Sequence, residues 1–143
     1  MRSFFKKNDA TKDQSTADST GEKGTVLIVD DSPTEIHILR GVLEKAGYSV
    51  LTAEDGETGI QTAVENIPDL ILMDVVMPGL NGFQATRQLS KKSETSHIPI
   101  IMVTTKDQET DRAWGLRQGA KEYVVKPVKP AELLEKVNSV LQA

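Results

Sequence analysis

The sequence predicts a doubly wound α/β domain: a five-stranded parallel sheet with five helices distributed over its two faces. Three observations predict it. Short, near-continuous apolar runs recur along the chain, as expected of parallel strands covered on both faces. Between them lie segments whose apolar residues return every three or four positions, the period of an amphipathic helix. The two patterns alternate five times with connections too short for a further domain, the signature of parallel strands joined by crossover helices.

The elements follow in order. Val26-Leu27-Ile28-Val29 is the first strand. Ser32-Pro33 then reads as an N-cap with proline at the first helical position; Ile36, Leu39, Val42, Leu43 and Ala46 form that helix's stripe, and Gly47 stands where it should stop. Ser49-Val50-Leu51-Thr52 is the second strand, and Ile60, Ala63, Val64 and Ile67 the stripe of the second helix. Leu70-Ile71-Leu72-Met73, Ile98-Pro99-Ile100-Ile101-Met102-Val103 and Tyr123-Val124-Val125 are the remaining strands. Pro130 opens the last helix, with Leu133, Leu134, Val137, Val140 and Leu141 on its apolar side. The common strand order for such a domain is 2-1-3-4-5, a flavodoxin-like arrangement.

Composition narrows the class. At 143 residues the chain has room for one domain. Its 17 Lys and Arg against 21 Asp and Glu give a net charge of −4, so the basic footprint of a nucleic-acid binder is missing. No apolar run approaches the roughly 20 residues that span a bilayer. The opening Met1-Arg2-Ser3-Phe4-Phe5-Lys6-Lys7 lacks the apolar core of a secretory signal. With no Cys, disulfides, Cys-ligated zinc, iron–sulfur clusters and a thiol nucleophile are excluded. The expectation is a cytoplasmic protein.

Residues 1–24 read as a disordered polar leader and 25–143 as the folded domain. From Lys6 to Gly24 only Ala10 and Ala17 are apolar, too little to offset the entropy of ordering the segment. Phe4-Phe5-Lys6-Lys7 reads as a bland tail, with a weak membrane or partner hook as the alternative.

In an open parallel sheet, functional groups collect at the carboxyl ends of the strands. There the first strand carries Asp30-Asp31, the third Asp74, the fourth Thr104-Thr105 and the fifth Lys126-Pro127. In the 2-1-3-4-5 order, strands one and three are neighbours, so three carboxylates converge beside a hydroxyl and an ammonium. Three close carboxylates repel one another, and a hard, oxygen-seeking cation such as Mg²⁺ relieves the conflict. One carboxylate is then free to attack a phosphoryl group, a reaction that needs mostly positioning and charge neutralisation. Taken singly, most members have ordinary readings: a solvated turn and helix cap for Asp30-Asp31, a β-branched strand residue for Thr104, a snorkelling lysine for Lys126. Asp74 does not, because it interrupts the apolar run Leu70 to Met77, where an unpaired carboxylate is costly.

These residues resemble a known family. Val26-Leu27-Ile28-Val29-Asp30-Asp31-Ser32, Leu72-Met73-Asp74-Val75-Val76-Met77-Pro78-Gly79 with Asn81-Gly82, and Gly119-Ala120 with Tyr123-Val124-Val125-Lys126-Pro127 look like a two-component response-regulator receiver domain of the CheY type. Asp31-Ser32-Pro33-Thr34-Glu35, Gly82-Phe83-Gln84-Ala85-Thr86-Arg87-Gln88-Leu89, Thr104-Thr105-Lys106-Asp107-Gln108-Glu109-Thr110-Asp111 and Trp114-Gly115 resemble the stand-alone PilH-type receivers of twitching-motility (type IV pilus) chemosensory systems. The resemblance implies that Asp74 accepts a phosphoryl group from a CheA-type sensor histidine kinase. It implies Mg²⁺ bound by Asp31, Asp74 and the backbone carbonyl of Val76, with Asp30 acting mainly through metal-bound water. Lys126 would pair with the phosphoryl oxygens, next to a cis bond to Pro127. Thr104 and Tyr123 would move inward together, changing the surface of the fourth helix, fifth strand and fifth helix for a protein partner. It further implies a monomer or weak phosphorylation-dependent dimer, with no activity beyond its own phosphorylation and dephosphorylation.

Further positions qualify this picture. Val76 and Lys106 flank the path of the attacking water in this family; Val76 cannot hydrogen-bond that water, and Lys106 either contacts the phosphoryl group or points into solvent. Thr105 is larger than the residue many relatives carry beside the switch threonine. Trp114 reads as an output-face anchor, with helix packing as the alternative. His37 and His97 show no metal spacing. Competing classes are an FMN protein, disfavoured because Asp30-Asp31 repels a phosphate; an aspartate-based phosphohydrolase, disfavoured because no insertion provides a cap; and a degenerate receiver used only for binding. Output by protein contact and service as a phosphate sink both remain open.

Overall fold

The computed structural model describes residues 22–142. Along the chain come β1 (Thr25–Val29), α1 (Pro33–Lys45), β2 (Ser49–Ala53), α2 (Gly56–Asn66), β3 (Leu70–Met73), α3 (Gly82–Lys91), β4 (Ile100–Thr104), α4 (Glu109–Gln118), β5 (Glu122–Val125) and α5 (Pro130–Gln142). The five strands form one parallel sheet in the order β2-β1-β3-β4-β5.

Alternation along each strand divides the core in two, since successive side chains point to opposite faces. Leu27, Val29, Ile71, Met73 and Met102 pack with Ile60, Ala63, Ala85 and Leu89 of α2 and α3. Val26, Ile28, Leu70, Leu72, Ile101 and Val103 pack with Ile36, Leu39 and Leu43 of α1 and with Leu133 and Val137 of α5.

The register positions the site. Val29 pairs with Ala53 on one side and Met73 on the other, and Met73 pairs with Met102. Asp30 and Asp74 therefore leave adjacent strands at the same level. On the far side Thr104 pairs with Val125, which delivers Lys126 to the same rim.

Local signals explain the boundaries. Ser32 caps α1 by accepting from the Glu35 N–H, and Pro33 occupies the first helical position. The helix closes at Ala46, and Gly47 supplies the left-handed φ of 104° that the exit requires. Asn81 and Gln84 form a reciprocal capping box at α3, each bond 2.9 Å.

Two expectations need correction. Ile67, assigned to the α2 stripe, is the C-cap at φ 45°, 42% exposed and outside the core. Pro68 follows it, and the residue before a proline is pushed out of the right-handed helical region. The fourth strand begins at Ile100 rather than Ile98, although Ile98 is buried. Pro99 has no N–H to give a ladder, while its carbonyl still accepts from Ile71 N–H at 3.0 Å. Residues 1–21 of the expected leader lie outside the described residues. Its last members are tied to the domain, Lys23 N–H donating to Gly47 and the Gly24 carbonyl accepting from Ser49.

Candidate functional site

At the carboxyl rim of the sheet, Asp30, Asp31 and Asp74 each place an oxygen within 4.8 Å of the others. Asp30 and Asp74 are buried, at 1% and 6% exposure, while Asp31 faces solvent. Asp74 is fixed by its own N–H, which donates to the Val29 carbonyl at 2.9 Å, and its Oδ1 accepts from Val75 N–H at 2.8 Å. Asp30 Oδ1 accepts from Ser32 N–H at 2.9 Å and Asp30 Oδ2 from the Lys126 ammonium at 2.8 Å.

Lys126 reaches this cluster from the end of β5, where its N–H donates to the Thr104 carbonyl at 2.8 Å and its bond to Pro127 is cis. Its ammonium stands 3.6 Å from Asp74 and 3.8 Å from Glu35. Burial pulls its pKa down, but the Asp30 hydrogen bond and the charges of Asp74, Asp30 and Glu35 outweigh this, leaving it raised. Asp74 is raised as well. Burial is the main cause and the Asp30 charge adds to it, against Lys126 and hydrogen bonding from Thr104 and Val76 N–H.

The hydroxyl side is built from β4 and its loop. Thr104 is fully buried, and its Oγ1 accepts from Lys106 N–H at 3.3 Å. Tyr123 is also buried, and its hydroxyl donates to the Lys106 carbonyl at 2.8 Å. Arg112 donates to the Tyr123 carbonyl at 3.2 Å with its guanidinium 5.1 Å from the ring centre. Thr104 and Tyr123 are thus joined through one residue, Lys106, whose ammonium lies 4.0 Å from Asp111.

Asp30, Asp31, Asp74, Thr104 and Lys126 converge. Thr105 and the Val76 side chain are exposed, the latter at 54%, beside the cluster rather than in it. Trp114 lies apart on α4, 47% exposed, with the Arg117 guanidinium 6.0 Å from its ring centre; Leu116, 46% exposed, lies on a different side of the helix, since residues two apart do not share a face. His37 and His97 are exposed and outside the cluster.

Three neighbours of these side chains escaped the sequence reading. Glu35 had a signal, the Ser32-x-x-Glu35 spacing of a capping box, which points to a helix end rather than to Lys126. Arg112 had none. Gly82 appears only within a motif, yet a Cβ there would lie 2.0 Å from the Asp74 carbonyl oxygen, so only glycine lets α3 start against the acidic loop.

The donor set suits a hard divalent cation: three clustered carboxylates, two of them buried, with an open side at Asp31. Among the described residues, no helix is long and apolar enough to cross a membrane.

Comparison with known proteins agrees with this geometry. Residues 26–138 match the response regulator receiver domain family. Protein PilH of Pseudomonas aeruginosa PAO1 is 61% identical over 116 residues, 81% of this chain and 96% of PilH. The chemotaxis protein CheY4 of Vibrio cholerae superposes with a TM-score of 0.77 at 34% identity, covering 81% of this chain and 97% of CheY4. The receiver domain of the sensor histidine kinase PA1611 from Pseudomonas aeruginosa PAO1, solved with a magnesium ion coordinated in its active-site cleft, superposes at a TM-score of 0.78. It is 31% identical, with 84% of this chain and 98% of that domain covered.

Proposed function

Since the chain belongs to the response regulator receiver family, we propose that it is a phosphorylation-controlled switch with Asp74 as the phosphoacceptor. The observation that carries the reading is the meeting of Asp30, Asp31 and Asp74 with Lys126 at the ends of three strands.

In this reading an Asp74 carboxylate oxygen attacks the phosphorus of a phosphohistidine on a CheA-type sensor kinase. The O–P bond forms as the P–N bond breaks, and the histidine leaves with the electron pair. Asp30, Asp31, Asp74 and the Val76 carbonyl would hold Mg²⁺, which supplies neutralising charge for the carboxylates and the phosphoryl oxygens. Lys126 offsets the remaining negative charge, and Thr104 donates its hydroxyl to the phosphoryl group. When Thr104 turns toward that group it gives up the Lys106 N–H, and Lys106 passes the change to Tyr123. The α4–β5–α5 surface, with Trp114 exposed on α4, is the output face for a protein partner. The chain acts on no substrate but itself and works in the cytoplasm.

Similarity to PilH points to twitching motility as the process. Phosphotransfer tests the reading: a CheA-type kinase autophosphorylated with labelled ATP should lose label to the wild-type chain and keep it when offered Asp74→Asn. In a strain lacking its own PilH, the wild-type chain should restore twitching and Asp74→Asn should not. A wild-type chain that takes no label from any such kinase overturns the reading.

A further inference from the structure

A Ser-x-x-Glu capping box normally has two halves: the serine oxygen accepts from the Glu N–H, and the Glu carboxylate returns to the serine N–H. Only the first half forms at Ser32 and Glu35, at 3.3 Å. The Ser32 N–H is already committed to Asp30 Oδ1 at 2.9 Å. With that donor taken, the Glu35 carboxylate turns to Lys126, its Oε1 standing 3.8 Å from the ammonium.

Lys126 thereby faces three carboxylates: Asp30 at 2.8 Å, Asp74 at 3.6 Å and Glu35 at 3.8 Å. Two of them belong to the acidic cluster and Glu35 does not. The Lys126 side chain is only 9% exposed, so its charge is met by these carboxylates rather than by bulk water, Asp30 through a hydrogen bond and Asp74 and Glu35 as ion pairs. Glu35, on the first turn of α1, is 34% exposed and reaches in from the solvent side.

We propose that Glu35 is a positioning residue for Lys126, holding the ammonium back from Asp74 and competing with an incoming phosphoryl group for it. The inference rests on Asp74 being the phosphoacceptor and adds a setting for how readily the lysine is released to the phosphoryl oxygens. Glu35 touches neither Asp74 nor the transferring group, so it acts only through Lys126.

Beryllofluoride in the presence of saturating Mg²⁺, a non-transferable stand-in for the phosphoryl group, is the probe, with affinity read by isothermal titration calorimetry. Glu35→Gln frees Lys126 from a partly screened charge and should tighten binding roughly three- to tenfold. Glu35→Asp keeps a negative charge on the first turn of α1, where the helix dipole favours it, but draws the carboxylate back by one methylene. It should shift affinity in the same direction as Glu35→Gln. Unchanged or weaker binding by Glu35→Gln overturns the proposal, and weaker binding is what a merely structural role in α1 would give. Glu35→Asp remaining at the wild-type value while Glu35→Gln moves would also overturn it, by making net charge rather than the contact responsible. If wild type binds no beryllofluoride, the phosphoacceptor reading itself fails and the proposal with it. Wild-type binding with no effect of Glu35 removes the proposal alone.

Discussion

The Lys126 ammonium is bonded to Asp30 at 2.8 Å and stands off Asp74 at 3.6 Å. The strand-end lysine therefore neutralises most closely the acid that is not the proposed acceptor. Asp74 is left with a raised pKa, caused chiefly by burial and increased by the Asp30 charge. An acid whose folded pKa is raised supports folding fully below its unfolded pKa and loses that support as pH rises through the folded value. Ionised Asp74 is thus a burden on the metal-free domain at neutral pH. In EDTA at about pH 7, Asp74→Asn should melt above wild type. The gap should close near pH 3.5, roughly where aspartate is protonated in either state. Thermal unfolding by circular dichroism checks this, and an Asn variant less stable at neutral pH contradicts it.

Tyr123 gives a second pH dependence, with its own sign. Burial and then the Asp111 charge push its hydroxyl up to about 12, against the opposing Arg112 cation. The neutral hydroxyl is also the form that donates to the Lys106 carbonyl. A raised folded pKa means this contribution is intact below the ordinary tyrosine value and is lost as pH climbs through the folded one. Wild-type urea midpoints should fall between about pH 10 and 12, and Tyr123→Phe should fall less steeply. A residual fall belongs to Tyr48 and Lys126, whose pKa values are raised too. Equal slopes in the two proteins would remove the assignment to Tyr123.

Gly82 ties the acidic loop to α3. Its N–H donates to the Val75 carbonyl at 2.9 Å, and a Cβ would lie 2.0 Å from the Asp74 oxygen and 2.8 Å from Val75 Cα. These are backbone atoms of Asp74 and of the residue that follows it, so neither can yield without moving the site. Gly82→Ala should cost about 3 kcal/mol in urea unfolding, the upper end of ordinary overpacking, and should impair Mg²⁺ binding. Near-wild-type stability in Gly82→Ala would show that this approach is not constrained.

The fold was legible because its signals are local and repeated. Apolar runs at Val26–Val29 and Leu70–Met73, with Ser32-Pro33, Gly47 and Pro130 as punctuation, are sufficient to place strands and helices. The acidic cluster was legible because strand ends in a known order are spatial neighbours, so Asp30 and Asp74 could be brought together before any coordinates. What sequence could not supply was competition between partners. Glu35 matches a capping pattern, and only the prior claim of Asp30 on the Ser32 N–H sends its carboxylate to Lys126. Arg112 on Tyr123 depends on how α4 lies against β5, and no spacing rule encodes that. Ile67 failed for a related reason: its place in a helical period is overruled by the proline that follows.

The central claim is that Asp74 takes a phosphoryl group. Intact mass after incubation with acetyl phosphate and Mg²⁺ tests it most directly. Wild type should gain the mass of one phosphoryl group, and neither Asp74→Asn nor wild type in EDTA should gain it. A wild-type chain that gains no mass, or an Asp74→Asn variant labelled to the same extent, would contradict the account.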